Sequence, residues 1–127
     1  MAKILVLDDD QEMREFMEIM LAKEGYDVTC VGNPEKAISL CRKPAYDQVI
    51  TDLKMPKIDG IEFLKTIKEH RPETVVILIT AYASGETAVN AMKEGAYDYV
   101  EKSGNIDELK QIVRQALLKQ GSLGEGQ

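Results

Sequence analysis

Two rhythms of apolar and polar positions take turns along this chain. The apolar run Lys3–Leu7 breaks into Asp8-Asp9-Asp10. Met13, Phe16, Met17, Met20 and Leu21 then recur at helical spacing until Gly25 stops them. Tyr26, Val28 and Cys30 alternate as a second strand. Asn33-Pro34 supplies the cap and first turn of a second helix, with Ala37, Ile38 and Cys41 inward and Pro44 closing it. A third run, Gln48 to Thr51, ends abruptly in Asp52, and Pro56 and Gly60 mark the loop that follows. Ile61, Leu64 and Ile67 stripe a third helix that Pro72 ends. Val75–Ile79, the most hydrophobic run, reads as a central strand and stops at Thr80. Ser84 caps a fourth helix containing Ala88, Val89 and Met92, which ends at Gly95. Tyr97–Glu101 is a fifth strand with Lys102 just past it. Asn105 and Glu108 resemble a capping box before a last helix on Leu109, Ile112, Val113, Ala116 and Leu117. From Gly121 onward too few apolar groups remain to pack, which predicts a domain over 1–120 and a flexible tail or truncated linker over 121–127.

Five strands alternating with five helices predict an α/β fold, a parallel sheet covered on both faces. Right-handed crossovers put every strand tip along one edge, where ligands of such sheets bind near the point at which strand order reverses. The tips in turn are Asp8-Asp9-Asp10, Val31-Gly32-Asn33, Asp52, Thr80 and Lys102. Only the second carries no carboxylate, hydroxyl or ammonium, which suits an outer strand. Asp52 alone has a bland reading as a loop-capping residue beside a turn. It is a poor strand residue, however, and a buried unpaired carboxylate is costly. The company it keeps at the other tips gives it chemistry.

Asp8, Asp9 and Asp52 in one crevice would crowd like charge, and crowding raises proton affinity. A hard divalent cation relieves it, and a few carboxylates with waters and a phosphate oxygen is how magnesium prefers to bind. Lys102 adds a positive charge for a carboxylate or a phosphoryl oxygen, and Thr80 a hydroxyl able to donate to an oxyanion. The set reads as a carboxylate nucleophile poised for phosphoryl transfer.

Composition narrows the field. A chain of 127 residues with 44% hydrophobic and 30% charged positions is one ordinary globular domain. A net charge of -6 argues against direct nucleic-acid binding. No apolar stretch is long enough to cross a membrane, and no signal peptide is expected. Cys30 and Cys41 lack metal-ligand spacing and read as reduced, packed thiols of a cytoplasmic protein. His70, near the end of the third helix, reads as an exposed residue favourable to the helix dipole, not a phosphodonor.

The chain resembles the receiver domain of two-component response regulators over residues 3–119. The resemblance rests on Leu7-Asp8-Asp9, Asp52-Leu53-Lys54-Met55-Pro56 with Asp59-Gly60, Ile79-Thr80-Ala81, and Tyr99 with Lys102. It implies a flavodoxin-like (CheY-like), doubly wound sheet of order 2-1-3-4-5. It also implies that Asp52 accepts a phosphoryl group from a sensor histidine kinase. Asp9 and Asp52 would ligate Mg2+ through carboxylates, Lys54 through its backbone carbonyl and Asp8 mainly through water. Lys102 would contact the phosphoryl group, Thr80 would move to bond it, and Tyr99 would swing inward. Lys54 and Tyr82 hold positions that tune hydrolysis of the aspartyl phosphate. The expected role is that of a signalling phosphoacceptor rather than an enzyme, assisting only its own phosphotransfer and slow dephosphorylation. The output would be a changed face on the fourth helix, fifth strand and fifth helix, controlling a homodimer, an output domain or an effector protein. The run from Asp52 to Lys102 is most similar to receivers that precede the ATPase module of NtrC-type transcriptional activators.

Asp10 matches no family role and reads as a cap of the first helix. Tyr99 can also be read as a half-exposed strand aromatic. One departure is Ser103, where receivers usually carry proline. A cis bond without proline costs ~3 kcal/mol, so a trans Lys102–Ser103 bond is expected. Two rival functions share these residues. Val6-Leu7-Asp8-Asp9-Asp10 also fits the opening of haloacid dehalogenase-type phosphatases, although Asp52 then has no role. An interaction module that works without phosphorylation is the other.

Overall fold

The computed structural model describes residues 2–42, 46–53, 59–81, 85–102 and 106–120. Strands and helices alternate: β1 (Lys3–Leu7), α1 (Gln11–Lys23), β2 (Asp27–Val31), α2 (Pro34–Arg42), β3 (Gln48–Asp52), α3 (Gly60–His70), β4 (Val75–Thr80), α4 (Gly85–Lys93), β5 (Asp98–Glu101) and α5 (Ile106–Gln120). All neighbours pair in parallel, in the order β2-β1-β3-β4-β5. This is the expected doubly wound sheet, with its reversal of strand order between β1 and β3.

The alternation of side chains across each strand explains why the central runs are apolar throughout. Ile4 and Val6 of β1, Ile50 of β3, and Ile77 and Ile79 of β4 pack with Met17, Leu21, Leu109, Val113 and Leu117 of α1 and α5. Their neighbours Leu5, Leu7, Val49, Val76 and Leu78 face the other way, onto Phe63, Leu64 and Ile67 of α3, Cys41 of α2 and Ala91 of α4. A parallel sheet buried on both faces has no polar side to offer.

Local chemistry sets the helix starts. The Asp10 side chain accepts the Glu12 N–H at 3.0 Å and caps α1, as expected. Asn33 Oδ1 does the same for α2, accepting Glu35 N–H at 2.8 Å with Pro34 in the first turn. Asp59 caps α3 through Ile61 N–H at 2.8 Å, a role its sequence context did not signal. Gly25 and Gly95 end α1 and α4 with φ of 92° and 104°, the left-handed region that glycine enters without strain. The caps expected of Ser84 and Asn105, and the tail from Gly121, lie outside the described residues.

Two stripes differ from expectation. On α4 the buried residue is Ala91, while Val89 and Met92 are 53% and 49% exposed. On α1 the methionines turn inward as expected, but Phe16 points out. Helical spacing says which residues share a face, not which face is covered. Ile38 of α2 is only half-buried beside Ala37 and Cys41.

Gly60 carries the tightest backbone contact at the functional edge. Its N–H donates to the Leu53 carbonyl at 2.8 Å, bringing the start of α3 against the end of β3. A Cβ there would lie 2.6 Å from Leu53 Cα and 2.8 Å from the Asp52 carbonyl oxygen. Neither backbone atom can rotate aside. Gly60→Ala should therefore destabilise the domain by about 1–3 kcal/mol, read as a lowered urea midpoint. Gly85→Ala, with nothing within 4 Å of the added carbon, should stay within about 0.5 kcal/mol.

Candidate functional site

The site forms where β1 and β3 part. Asp8 follows the last residue of β1 and is 1% exposed. Most of its polar atoms are engaged. Its N–H donates to the Val31 carbonyl at 3.2 Å, its Oδ1 accepts the Asp10 N–H at 2.9 Å, and its carbonyl accepts Arg14 Nη1 at 2.7 Å. Asp9 stands exposed on the same turn. Asp52 ends β3 and Thr80 ends β4, both buried. Lys102 follows β5, and its backbone N–H donates to the Thr80 carbonyl at 2.7 Å. That bond continues the β4–β5 ladder one step and aims the lysine at the gap.

The lysine Nζ donates to Asp52 Oδ2 at 2.9 Å and lies 3.0 Å from Asp8 Oδ2. One ammonium thus bridges two carboxylates carried by neighbouring strands. The Asp8 Oδ2 contact is the less well aligned of the two, close in distance but without the donor geometry that Asp52 Oδ2 enjoys. Burial pushes the Asp8 carboxyl above its ordinary 3.8, against the Asp10 N–H and Lys102, which pull it down. Burial also works against charged Lys102, but its bonds to Asp52 and Asp8 outweigh that, and its affinity for the proton rises above the ordinary 10.5.

One oxygen from each of Asp8, Asp9 and Asp52 lies within 4.8 Å of the others. Three carboxylate oxygens, in a pocket where Asp8 Oδ2 lacks an aligned donor, form an all-oxygen set suited to a hard divalent cation. The residues present fit magnesium.

The structure therefore brings together Asp8, Asp9, Asp52 and Lys102, with Thr80 at the adjoining tip. Tyr99 lies apart from them, half-buried on β5. The register pairs Tyr99 with Leu78, two residues before Thr80 and on the same sheet face. Lys54, Tyr82 and Ser103, and with it the Lys102–Ser103 bond, fall outside the described residues. His70 is exposed at the end of α3, its Nδ1 2.9 Å from the Thr66 carbonyl. Sequence reasoning missed Arg14, whose contact with the Asp8 backbone leaves no local signal. It also read Gly60 as a turn marker, where the fold uses it for close approach.

Known proteins supply an independent comparison. Residues 4–114 match the family model of the response regulator receiver domain. Regulatory protein AtoC of Escherichia coli is 42% identical over 115 residues, 91% of this chain and 25% of its own length. Transcriptional regulatory protein ZraR of Klebsiella oxytoca is 40% identical over 90% of this chain and 26% of its own length. The chain thus spans about a quarter of these relatives. Among solved structures, a receiver domain protein from Clostridium thermocellum superposes with a TM-score of 0.90 at 31% identity, covering 97% of this chain and 99% of that one. The beryllofluoride-activated NtrC4 receiver domain dimer superposes with a TM-score of 0.89 at 31% identity, covering 94% and 99%. These matches do not favour the phosphatase alternative. With the sheet order, the acidic edge and the match over residues 4–114 in agreement, the chain belongs to the response regulator receiver domain family.

Proposed function

We propose that Asp52 is the phosphoacceptor of this receiver domain, taking a phosphoryl group from a histidine of a sensor kinase. The observation that carries the reading is the ammonium of Lys102 set 2.9 Å from Asp52 Oδ2 at the head of an acidic, oxygen-only pocket. An Asp52 carboxylate oxygen attacks phosphorus, the bond to the histidine nitrogen breaks, and the nitrogen keeps that electron pair. Asp9 and Asp52 would hold Mg2+ through their carboxylates, Asp8 would assist mainly through water, and Lys54 would contribute its backbone carbonyl. When bound, the cation offsets charge on the phosphoryl oxygens. Lys102 turns from the carboxylates to the new phosphoryl oxygens, and the Thr80 hydroxyl donates to one of them. Lys54 and Tyr82 tune the rate at which the acyl phosphate hydrolyses. The domain is a signalling phosphoacceptor that assists only its own phosphotransfer and slow dephosphorylation.

Phosphorylation shifts a population between two conformers. Thr80 and Tyr99 share a sheet face two residues apart in register, so a Thr80 drawn toward the phosphoryl group leaves room for Tyr99 to turn inward. The output lies on α4, β5 and α5, where Val89 and Met92 stand exposed one helical turn apart. A homodimer through this face is consistent with the activated receiver dimer among its structural relatives. We place the working domain at residues 1–120 of a cytoplasmic transcription regulator, its output module or effector being carried by further chain or by another protein. Among the described residues, no helix is long and apolar enough to cross a membrane.

Incubation with a small-molecule phosphodonor and magnesium should add one phosphate-sized mass increment to the wild type and none to Asp52→Ala, by intact mass spectrometry. An increment that persists in the variant would remove Asp52 as acceptor.

Stability should report the crowding of charge. Asp8 holds its proton more tightly in the folded domain, so the stability linked to it is present below pH 3.8 and is lost as pH rises through the folded value. At neutral pH its ionised form therefore costs stability, and Asp8→Asn should raise the melting temperature in EDTA. Lys102 contributes stability below pH 10.5 that is lost only as pH climbs through its higher folded value. Magnesium at about a hundred times its Kd should stabilise the wild type by about 2.7 kcal/mol, and Asp9→Asn should lose most of that gain. For the output face, Val89→Glu with Met92→Glu should leave Asp52 phosphorylation intact and abolish phosphorylation-dependent dimerisation in sedimentation velocity.

A further inference from the structure

Arg14 sits in the first turns of α1, half-buried, and does not use its charge on the nearby acids. Among the described residues it forms no ion pair. Its Nη1 instead donates to the Asp8 backbone carbonyl at 2.7 Å, across the turn that carries both Asp8 and Asp9. That carbonyl belongs to the peptide joining the two acids. The N–H of Asp8 is held by Val31 at 3.2 Å and its side chain by the Asp10 N–H at 2.9 Å. Those two bonds hold the preceding peptide and the Asp8 side chain, whereas the arginine bonds the Asp8–Asp9 peptide itself. The plane of that peptide in turn sets the direction in which the exposed Asp9 side chain leaves the backbone.

The guanidinium reaches this position because residue 32 is glycine. A Cβ on Gly32 would stand 2.5 Å from Arg14 Nη1 and 3.0 Å from its Cζ. The φ of Gly32 is not left-handed, so no backbone strain calls for glycine there. The close contact is with the far end of a long side chain, which an alanine would push aside while the backbone stayed put. The second strand tip, chemically dull in itself, thus leaves room for the group that steadies the first.

We propose that Arg14 is a positioning residue for the metal: admitted by Gly32, it fixes the Asp8–Asp9 peptide and so aims the Asp9 carboxylate into the site. The inference rests on the reading of Asp8, Asp9 and Asp52 as the magnesium pocket. It runs against simple electrostatics, which makes it decidable. A guanidinium beside a cation site repels the cation, so by charge alone Arg14→Ala should tighten binding. By positioning, the same substitution should weaken it. Residues that orient metal ligands commonly control affinity by a factor of about 10 to 100, and Arg14 acts through one backbone contact, so the lower end is expected.

Magnesium is titrated by calorimetry into the full chain as wild type, Asp9→Asn, Arg14→Ala, Gly32→Ala and the Arg14→Ala/Gly32→Ala pair. Melts in EDTA for each variant give its metal-free stability. Arg14→Ala should raise the Kd for magnesium about tenfold. Gly32→Ala, which keeps the arginine but displaces it, should do the same. The double variant should be no worse than either single one, because both remove the same contact. An unchanged or lower Kd in Arg14→Ala, or losses that add in the double variant, overturns the proposal. Should Arg14→Ala melt below the working temperature, Gly32→Ala decides alone. Absence of magnesium binding by the wild type, or binding by Asp9→Asn equal to it, would sink the pocket and this inference together. A wild type that binds, an Asp9→Asn that does not, and Arg14 and Gly32 variants like the wild type would sink the inference alone.

Discussion

The ammonium of Lys102 between the carboxylates of Asp8 and Asp52 is the interaction on which the rest of the structure turns. Asp8 is almost wholly shielded from water and Asp52 nearly so. Two such groups on adjacent strands would repel each other strongly in a medium less polar than water. One cation at 2.9 and 3.0 Å makes the arrangement tolerable without removing its tension, since burial still pushes the Asp8 carboxyl up. The lysine can reach both acids only if β5 ends beside β4, β4 beside β3, and β3 beside β1. The strand order supplies that sequence of neighbours. Backbone bonds such as Lys102 N–H to the Thr80 carbonyl hold each tip level with the next.

Much of this was legible in the residues, for a physical reason. A sheet covered on both faces demands apolar strands without interruption, so its strands announce themselves as runs such as Val75–Ile79 and Ile4–Leu7. Chain reversal after each strand needs caps and stops, and Asp10, Asn33-Pro34, Gly25 and Gly95 are residues suited to those positions. Once every crossover has one hand, the polar residue at each run's end must fall on a common edge. Asp8, Asp52, Thr80 and Lys102 could therefore be grouped from the order of the runs alone. The third strand ends at Asp52 as read, while β4 runs one residue past its apolar run and takes in Thr80.

What stayed hidden depends on contacts between segments far apart in sequence. Val89 and Met92 lie on an apolar stripe like any other, yet α4 meets the sheet through the small Ala91 and leaves the larger residues outside. Phe16 is excluded on α1 because Met17, Met20 and Leu21 already fill the side facing β1 and α5. Gly60 and Gly32 look like turn residues, and neither has a positive φ. Each is glycine because of what approaches it: the β3 backbone in one case, the Arg14 guanidinium in the other. Periodicity carries no information about such approaches, since nothing in the neighbouring residues changes when a distant group arrives.

The same tension that makes the edge costly also lets it respond. A site satisfied in every hydrogen bond would gain little from a new ligand, whereas this one holds three carboxylates, a buried oxygen without an aligned donor and a single lysine shared between two acids. Under the proposed role, an added cation or phosphoryl group would redistribute that lysine, and the adjoining tips would feel the change. Thr80 pairs with Glu101, the residue before Lys102, in the β4–β5 ladder and shares a sheet face with Tyr99. A change at the acids thus has a short path, through one strand pair, to the face where Val89 and Met92 stand exposed. A ligand can shift a conformational equilibrium only by its differential affinity for the two states. Under the proposed phosphoacceptor role, that difference would come from relieving the crowded charge around Asp8 and Asp52, and the instability of the resting site would then be the source of the signal.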